Sequence, residues 1–347
     1  MLLIRSLATS YLKHSCRPIP FSLDATMSTD LKAQINEKGA YVRQTSAFRN
    51  WITADGSSGF PAESGRYHLY VSYACPFASR ALVVRALKGL ESAISMTAVD
   101  PVIDRSIGWS FTDKVRRCEL DVVNGKKTMK EVYQLADPEY AGRITVPALW
   151  DKVKKTIVNN ESSEIIKMLN SEFNAFCSTE QQKALDLYPK EEKEKIDQVI
   201  QWVSDDVNEG VYKAGFSTSQ DVYNEAVVKL FAALDRLESI LDKSRFLIGD
   251  HLTLADVRLF TTLVRFDWVY HGHFKCNKKK LIEYPNLSAY LRDVYNTDGI
   301  GDTVDREHIV KNYYKSMLHI NPTGIVPIGP ELDFSVPVER RKKFGVH

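Results

Sequence analysis

One stretch, Tyr67 to Gly89 (YHLYVSYACPFASRALVVRALKG), limits the possible folds more than any other part of the chain. A β-rich apolar run ends in a lone cysteine. A proline follows, then a helical pattern with Ala81, Val84, Leu87 and Leu90 on one face. Proline is tolerated in a first helical turn, where its missing N–H leaves no bond unmade. The pattern therefore predicts a buried strand in GRYHLYVS, with Cys75 at the start of a helix. A thiol reacts as its thiolate, and the unpaired N–H groups and positive dipole end of a helix N-terminus favour that form. Position 78, where a redox pair would place its second cysteine, is alanine. A mixed disulfide at Cys75 must then be resolved by an external thiol, and glutathione is the abundant candidate. The competing reading is an inert, buried cysteine.

The segments that follow suggest a small mixed α/β unit. AISMTAVDP reads as a second strand, and residues 101 to 143 as a long irregular insertion. ITVPALWDK then resumes a regular plan. It offers a strand into Val146-Pro147, a hairpin around Asp151-Lys152, a short strand at Thr156 to Val158 and a helix opening at Glu161-Ser162. A cis bond before Pro147 would expose the Val146 backbone to a peptide ligand. Glu161-Ser162 at a helix opening suits the charged end of glutathione, although simple capping in NNESSEI explains the same residues. The polar stretch 28–66 reads as an arm anchored by Tyr41, Phe48 and Trp51.

Beyond Tyr188 the pattern turns helical. Ile196, Val199, Ile200, Val203 and Val207 share a face after Pro189, and a second amphipathic run spans Gln220 to Lys243. GDHLTLADVRLF carries a capping box, Thr253 with Asp256, and a staple of Leu252 with Val257. Residues 67–175 and 189–325 are thus expected to form an α/β and an all-helical domain, with 326–347 as a C-terminal tail.

Composition narrows the function. A net charge of +2 offers no concentrated basic face for nucleic acid, and the run Glu339 to Lys343 reads as a solvated tail. Five scattered cysteines argue against a disulfide framework. No apolar run is long enough to span a bilayer. His271, His273 and Cys276 match no common zinc spacing, so no metal is expected. The first 27 residues carry Arg5, Lys13 and Arg17 and no acid before Asp24. That is the pattern of a transit peptide to the mitochondrion or another organelle, the alternative being a cytoplasmic protein starting at Met27.

From about Phe48 to Pro330 the chain resembles the thioredoxin-fold glutathione transferases, and among them the glutathionyl-hydroquinone reductases of the xi class, close to omega. The resemblance rests on YVSYACPFASRALVVRALKGL, IGWSFTD, ITVPALWDK, IVNNESSEIIKMLN, VNEGVYKAGF, RFDWVYHGHFKCN and INPTGIVPIGP. It implies a thioredoxin-like domain with a cis-proline, joined to an all-α domain, and a homodimer. Cys75 would be the nucleophile. Val146 beside Pro147, Glu161, Ser162, Phe77, Trp109 and Arg143 would hold glutathione as co-substrate. Tyr212, Tyr270 and Tyr313 would line the pocket for the aromatic acceptor, with Tyr212 or Tyr313 as proton donor. Ordinary helix packing is the plainer role for each tyrosine. The family usually has Cys-Pro-Trp-Ala, and here Phe77 replaces the tryptophan, keeping apolar bulk while losing an N–H donor.

The resemblance points to removal of glutathione from glutathionyl-hydroquinones. An omega-like thiol transferase acting on protein disulfides or dehydroascorbate would use the same cysteine. Conjugation to electrophiles suits serine or tyrosine better, and a non-catalytic binding module would not need a reactive thiol.

Overall fold

The structure is a computed structural model and describes residues 34–336 and 339–345. The N-terminal 27 residues, and with them Cys16, lie outside the described residues.

The α/β unit is a four-stranded sheet in the order β2-β1-β3-β4. Strand β1 (Tyr67–Val71) pairs in parallel with β2 (Ser95–Ala98) across helix α1 (Pro76–Leu87). Its other edge pairs antiparallel with β3 (Ala148–Asp151), which turns into β4 (Thr156–Asn159). Every residue of β1 is buried, as expected for a central strand covered on both faces. His68 within it is tied to Ser95 Oγ at 2.8 Å, and burial pushes its imidazole down to about 4, so it packs as a neutral ring. Helix α3 (Ser162–Ser171) follows β4 and packs against α1.

The stretch 101–143 departs from its irregular reading. It holds helix α2 (Met129–Ala136), opened by Thr128 and Glu131 in a reciprocal capping box. Glu131 Oε2 accepts from the Thr128 N–H at 2.8 Å. The T-x-x-E signature was present in the sequence, but aromatic spikes on either side obscured it.

The helical unit contains α4 (Glu180–Ala184), α5 (Lys193–Val203), α6 (Gly210–Gly215), α7 (Gln220–Lys243), α8 (Leu254–Arg265), α9 (Pro285–Tyr295) and α10 (Arg306–Ser316). Two π-helical turns interrupt the regular helices, Ser204–Asn208 after α5 and Phe266–Tyr270 after α8. Such turns recur at functional sites because they re-aim side chains. Helix α8 packs on α1, so the two units meet along the helix that begins at Cys75.

The expected capping box of α8 is present and wholly buried. Asp256 Oδ2 accepts from the Thr253 N–H and hydroxyl, both at 2.9 Å, while Oδ1 accepts from the Leu247 N–H at 3.0 Å and the Tyr290 hydroxyl at 2.9 Å. Burial pushes its carboxyl upward against these four bonds. In Asp256→Asn an amide N–H₂ would face donors. A loss of about 2–4 kcal/mol is expected in urea denaturation, since buried donors would be left unpaired.

The basic run at the C-terminus is not a solvated tail. Arg340–Lys343 forms a short helix, α11. Arg340 is buried and donates to the carbonyls of Leu241, Ser244 and Arg245 at 2.6–3.0 Å. Arg341 Nε reaches buried Asp293 at 2.7 Å, which Arg245 also pairs. Among the described residues, no helix is long and apolar enough to cross a membrane, and no three His, Cys, Asp or Glu side chains gather as a metal would require. His273 instead stacks on Phe274, and Cys276 is buried.

Candidate active site

Cys75 is the cap residue of α1, with extended backbone and Pro76 at the first helical position. It is partly exposed. The turn before it is compact: the Cys75 N–H donates to Ser72 O at 3.2 Å, and the Ser79 N–H and hydroxyl both donate to Cys75 O. The thiol lies 3.5 Å from the Val146 carbonyl oxygen, and the Val146-Pro147 bond is cis. The first turn of α1 and the loop before β3 therefore converge on one sulfur. The other described cysteines are less suited to reaction. Burial pushes Cys118 up to about 12 and raises Cys177 and Cys276, which favours the unreactive thiol form.

Phe77, one residue past the proline, is held between cations. The Arg43 guanidinium sits 3.9 Å from its ring centroid, that of Arg80 at 4.7 Å, and the Tyr212 ring at 6.1 Å. An indole N–H donor at this position would face guanidinium groups that are themselves donors only. Phenylalanine presents its π face to them instead.

Glu161 caps α3. Its Oε1 accepts from the Ser163 N–H at 3.1 Å and hydroxyl at 3.0 Å, and Oε2 accepts from Ser46 Oγ at 3.0 Å, with Arg43 at 3.7 Å. Burial alone would raise its carboxyl, but Arg43 and the hydrogen bonds prevail and hold it below the usual value. The carboxylate is thus ionised at the start of the helix that packs against α1. Ser162 is buried and its hydroxyl accepts from Arg80 at 3.3 Å. The capping reading of this pair and its place beside the thiol helix both hold in one geometry.

The three tyrosines come together. The Tyr212 and Tyr313 hydroxyls are 2.5 Å apart, and Tyr270 and Tyr313 3.0 Å apart. Tyr212 retains 9% exposure, against 0% for Tyr270 and 1% for Tyr313. Burial raises all three phenols, so they stay protonated and able to donate. The Tyr212 ring lies 6.1 Å from that of Phe77, two residues past Cys75, and Phe216 and Phe274 pack on it at 5.5 and 5.4 Å. Tyr212 lies in α6, Tyr270 ends the second π turn and Tyr313 lies in α10. Arg143 and Arg43 both act on Tyr41, whose ring is 6.2 Å from that of Tyr212. Trp109 is half-buried ahead of α2, where its carbonyl accepts from the Met129 N–H at 2.9 Å. The described contacts do not tie its indole to the thiol.

A Glutathione S-transferase, N-terminal domain model matches residues 74–172, and a Glutathione S-transferase, C-terminal domain model matches 220–293. Glutathionyl-hydroquinone reductase YqjG of Escherichia coli (strain K12) is 50% identical over 313 residues, 88% of this chain and 94% of that protein. Its glutathione-bound structure superposes with a TM-score of 0.83, covering 86% of this chain and 97% of that one. Glutathionyl-hydroquinone reductase PcpF of Sphingobium chlorophenolicum is 46% identical over 294 residues, 84% and 90% of the two chains. The glutathione-S-transferase Xi of Phanerochaete chrysosporium is 49% identical, with a TM-score of 0.82 and coverage of 86% and 100%. The chain belongs to the glutathione S-transferase family, in its xi class.

In this xi-class transferase the site draws on residues the sequence reading passed over. Arg43 comes from the N-terminal arm, two residues past its anchor Tyr41, and also lies 3.8 Å from Glu209. Arg80 is buried in α1 and donates to Asn208 Oδ1 of the first π turn at 3.1 Å. Asn208 in turn donates to Thr262 Oγ1 and Arg258 O on α8. No sequence signal pointed to these arginines, because which group a long side chain reaches depends on tertiary packing.

Proposed function

We propose that this xi-class transferase removes glutathione from glutathionyl-hydroquinones, as the names of YqjG and PcpF state for those proteins. One juxtaposition carries the reading. A single thiol at a helix start, with alanine one turn on, shares its helix turn with Phe77, whose ring lies 6.1 Å from that of Tyr212, a tyrosine with a hydrogen-bonded, protonated hydroxyl. The Cys75 thiolate attacks the glutathionyl sulfur, forming an S–S bond as the carbon–sulfur bond to the ring breaks. The electron pair stays on the ring carbon, and a proton from Tyr212 completes the hydroquinone. A second glutathione thiolate then attacks the mixed disulfide, releasing glutathione disulfide and the Cys75 thiolate. The ring gains two electrons and two glutathione sulfurs supply them.

Glu161 and the first turn of α3 are assigned to the charged γ-glutamyl end, with the carboxylate meeting its ammonium group. The Val146 main chain beside Pro147 is assigned to the cysteinyl group, and Phe77, Ser162, Arg143 and Trp109 to the remaining groove. Tyr212, Tyr270 and Tyr313 take the aromatic acceptor. A homodimer and an organellar destination, mitochondrial first, complete the proposal. The acid-free basic segment before Asp24 suits such an address.

The test incubates the protein with glutathionyl-menadiol and excess glutathione. Menadiol and glutathione disulfide are expected in a one-to-one ratio. No release, with glutathione trapped on Cys75 in the mass spectrum, would replace this reading with an omega-like one, in which protein mixed disulfides or dehydroascorbate are the substrates.

A further inference from the structure

Helix α8 ends in a buried cation that reaches across to the thiol turn. Arg265 is 1% exposed, and among the described residues no carboxylate pairs with it. Its Nε donates to Ala74 O at 2.9 Å, and Nη2 donates to Tyr73 O at 2.8 Å and Ser79 Oγ at 2.6 Å. Nη1 returns to Thr261 O on its own helix at 2.7 Å. The Ser79 hydroxyl passes the contact on, donating to Cys75 O at 3.1 Å. One guanidinium thus holds three successive carbonyls, those of residues 73, 74 and 75, two directly and one through a serine.

Burying a charge without a counter-ion costs several kcal/mol unless other groups offset it. Packing α8 on α1 does not require that cost, since an apolar residue would fill the space. What the guanidinium adds is a fixed turn and a positive charge bonded to the backbone that carries the thiol. With the carbonyls of the turn drawn toward Arg265, the sulfur lies toward the Val146 loop, 3.5 Å from the Val146 carbonyl oxygen. The residue also borders the other half of the site. The π turn carrying Tyr270 begins at Phe266, the next residue, and the Arg265 charge works against the burial-driven rise of the Tyr270 and Tyr313 phenols.

We infer that Arg265 is a positioning residue through which the helical unit sets the reactivity of Cys75, its fork fixing the turn and its charge favouring the thiolate. The inference rests on Cys75 being the nucleophile. It applies to either substrate class, because the thiol is common to both.

The experiment follows alkylation of the Cys75 peptide by iodoacetamide across pH 5–10, by mass spectrometry, in the full-length protein. In Arg265→Met the rate at pH 7 is expected to fall roughly tenfold, with the whole profile displaced to the alkaline side, a shift of about one unit. Arg265→Lys keeps a charge but lacks the fork, and is expected to recover only part of that loss. A folded Arg265→Met protein with the wild-type profile overturns the inference, as does full recovery by lysine for the role of the fork. Ser79→Ala keeps the charge and both direct bonds, and carries the test if Arg265→Met does not fold. It is expected to slow alkylation roughly two- to threefold, the worth of one modest hydrogen bond, and an unchanged rate overturns the relay. Wild-type Cys75 alkylating no faster than Cys118 at pH 7 would remove the nucleophile assignment, and the inference with it.

Discussion

Cys75→Ser is expected to lower hydroquinone release by about 10³-fold or more, the scale seen when a nucleophile is removed from a preorganised site. An oxygen nucleophile cannot form the sulfur–sulfur bond that carries glutathione between the two half-reactions, and a serine hydroxyl is scarcely ionised at neutral pH. The groups around position 75 do not depend on the sulfur. Phe77, Arg43, Glu161 and the turn held by Arg265 make their contacts through their own atoms. Glutathione affinity measured by calorimetry should therefore stay within about a factor of three, less than 0.7 kcal/mol. Full turnover in the serine variant would sink the mechanism. Joint loss of turnover and binding would point instead to a collapsed groove.

Tyr212→Phe is expected to separate two kinds of chemistry at the same sulfur. Release of a hydroquinone needs a proton on carbon, and a positioned acid contributes about 10²–10⁴-fold to such a step. Exchange with a simple glutathione mixed disulfide needs none, because its leaving group is a thiolate. The variant should lose about 10²-fold in kcat for glutathionyl-menadiol while keeping disulfide exchange near the wild-type rate. Equal losses on both substrates would refute the proton-donor role. Tyr313→Phe provides the comparison. It removes the hydroxyl that bonds both neighbours and leaves those of Tyr212 and Tyr270 buried without that partner, so its effect should fall partly on stability.

The sequence revealed the catalytic end of this fold more readily than its supports. Strand, Cys-Pro and helix in YVSYACPFASRAL was readable because each part has its own local rule: apolar run, lone thiol, proline in the first turn. The boundaries of the Gln220–Lys243 helix and the Thr253–Asp256 box were readable for the same reason. Tyr212, Tyr270 and Tyr313 were reachable only through family resemblance, since periodicity alone makes each an ordinary packing residue. Arg43, Arg80 and Arg265 stayed silent. Their partners are a ring, an amide and main-chain carbonyls up to 192 residues away, and no local pattern encodes such reach. The basic run at the C-terminus misled because charge patterning reports solvent preference and says nothing of carbonyls waiting for donors.

Those carbonyls have a consequence of their own. The last turn of any helix leaves C=O groups without partners inside the helix, and here Arg340 supplies the end of α7 from nearly a hundred residues downstream. The α7 terminus is thus finished by a borrowed cap, and α11 serves as a latch rather than a trailing end. Proteolytic trimming near Ser335 would release the latch, leaving α7 short of its donors and buried Asp293 with only one of its two arginines. For anyone engineering this chain, the segment from 339 to 345 is part of the packed helical unit and a poor place to cut.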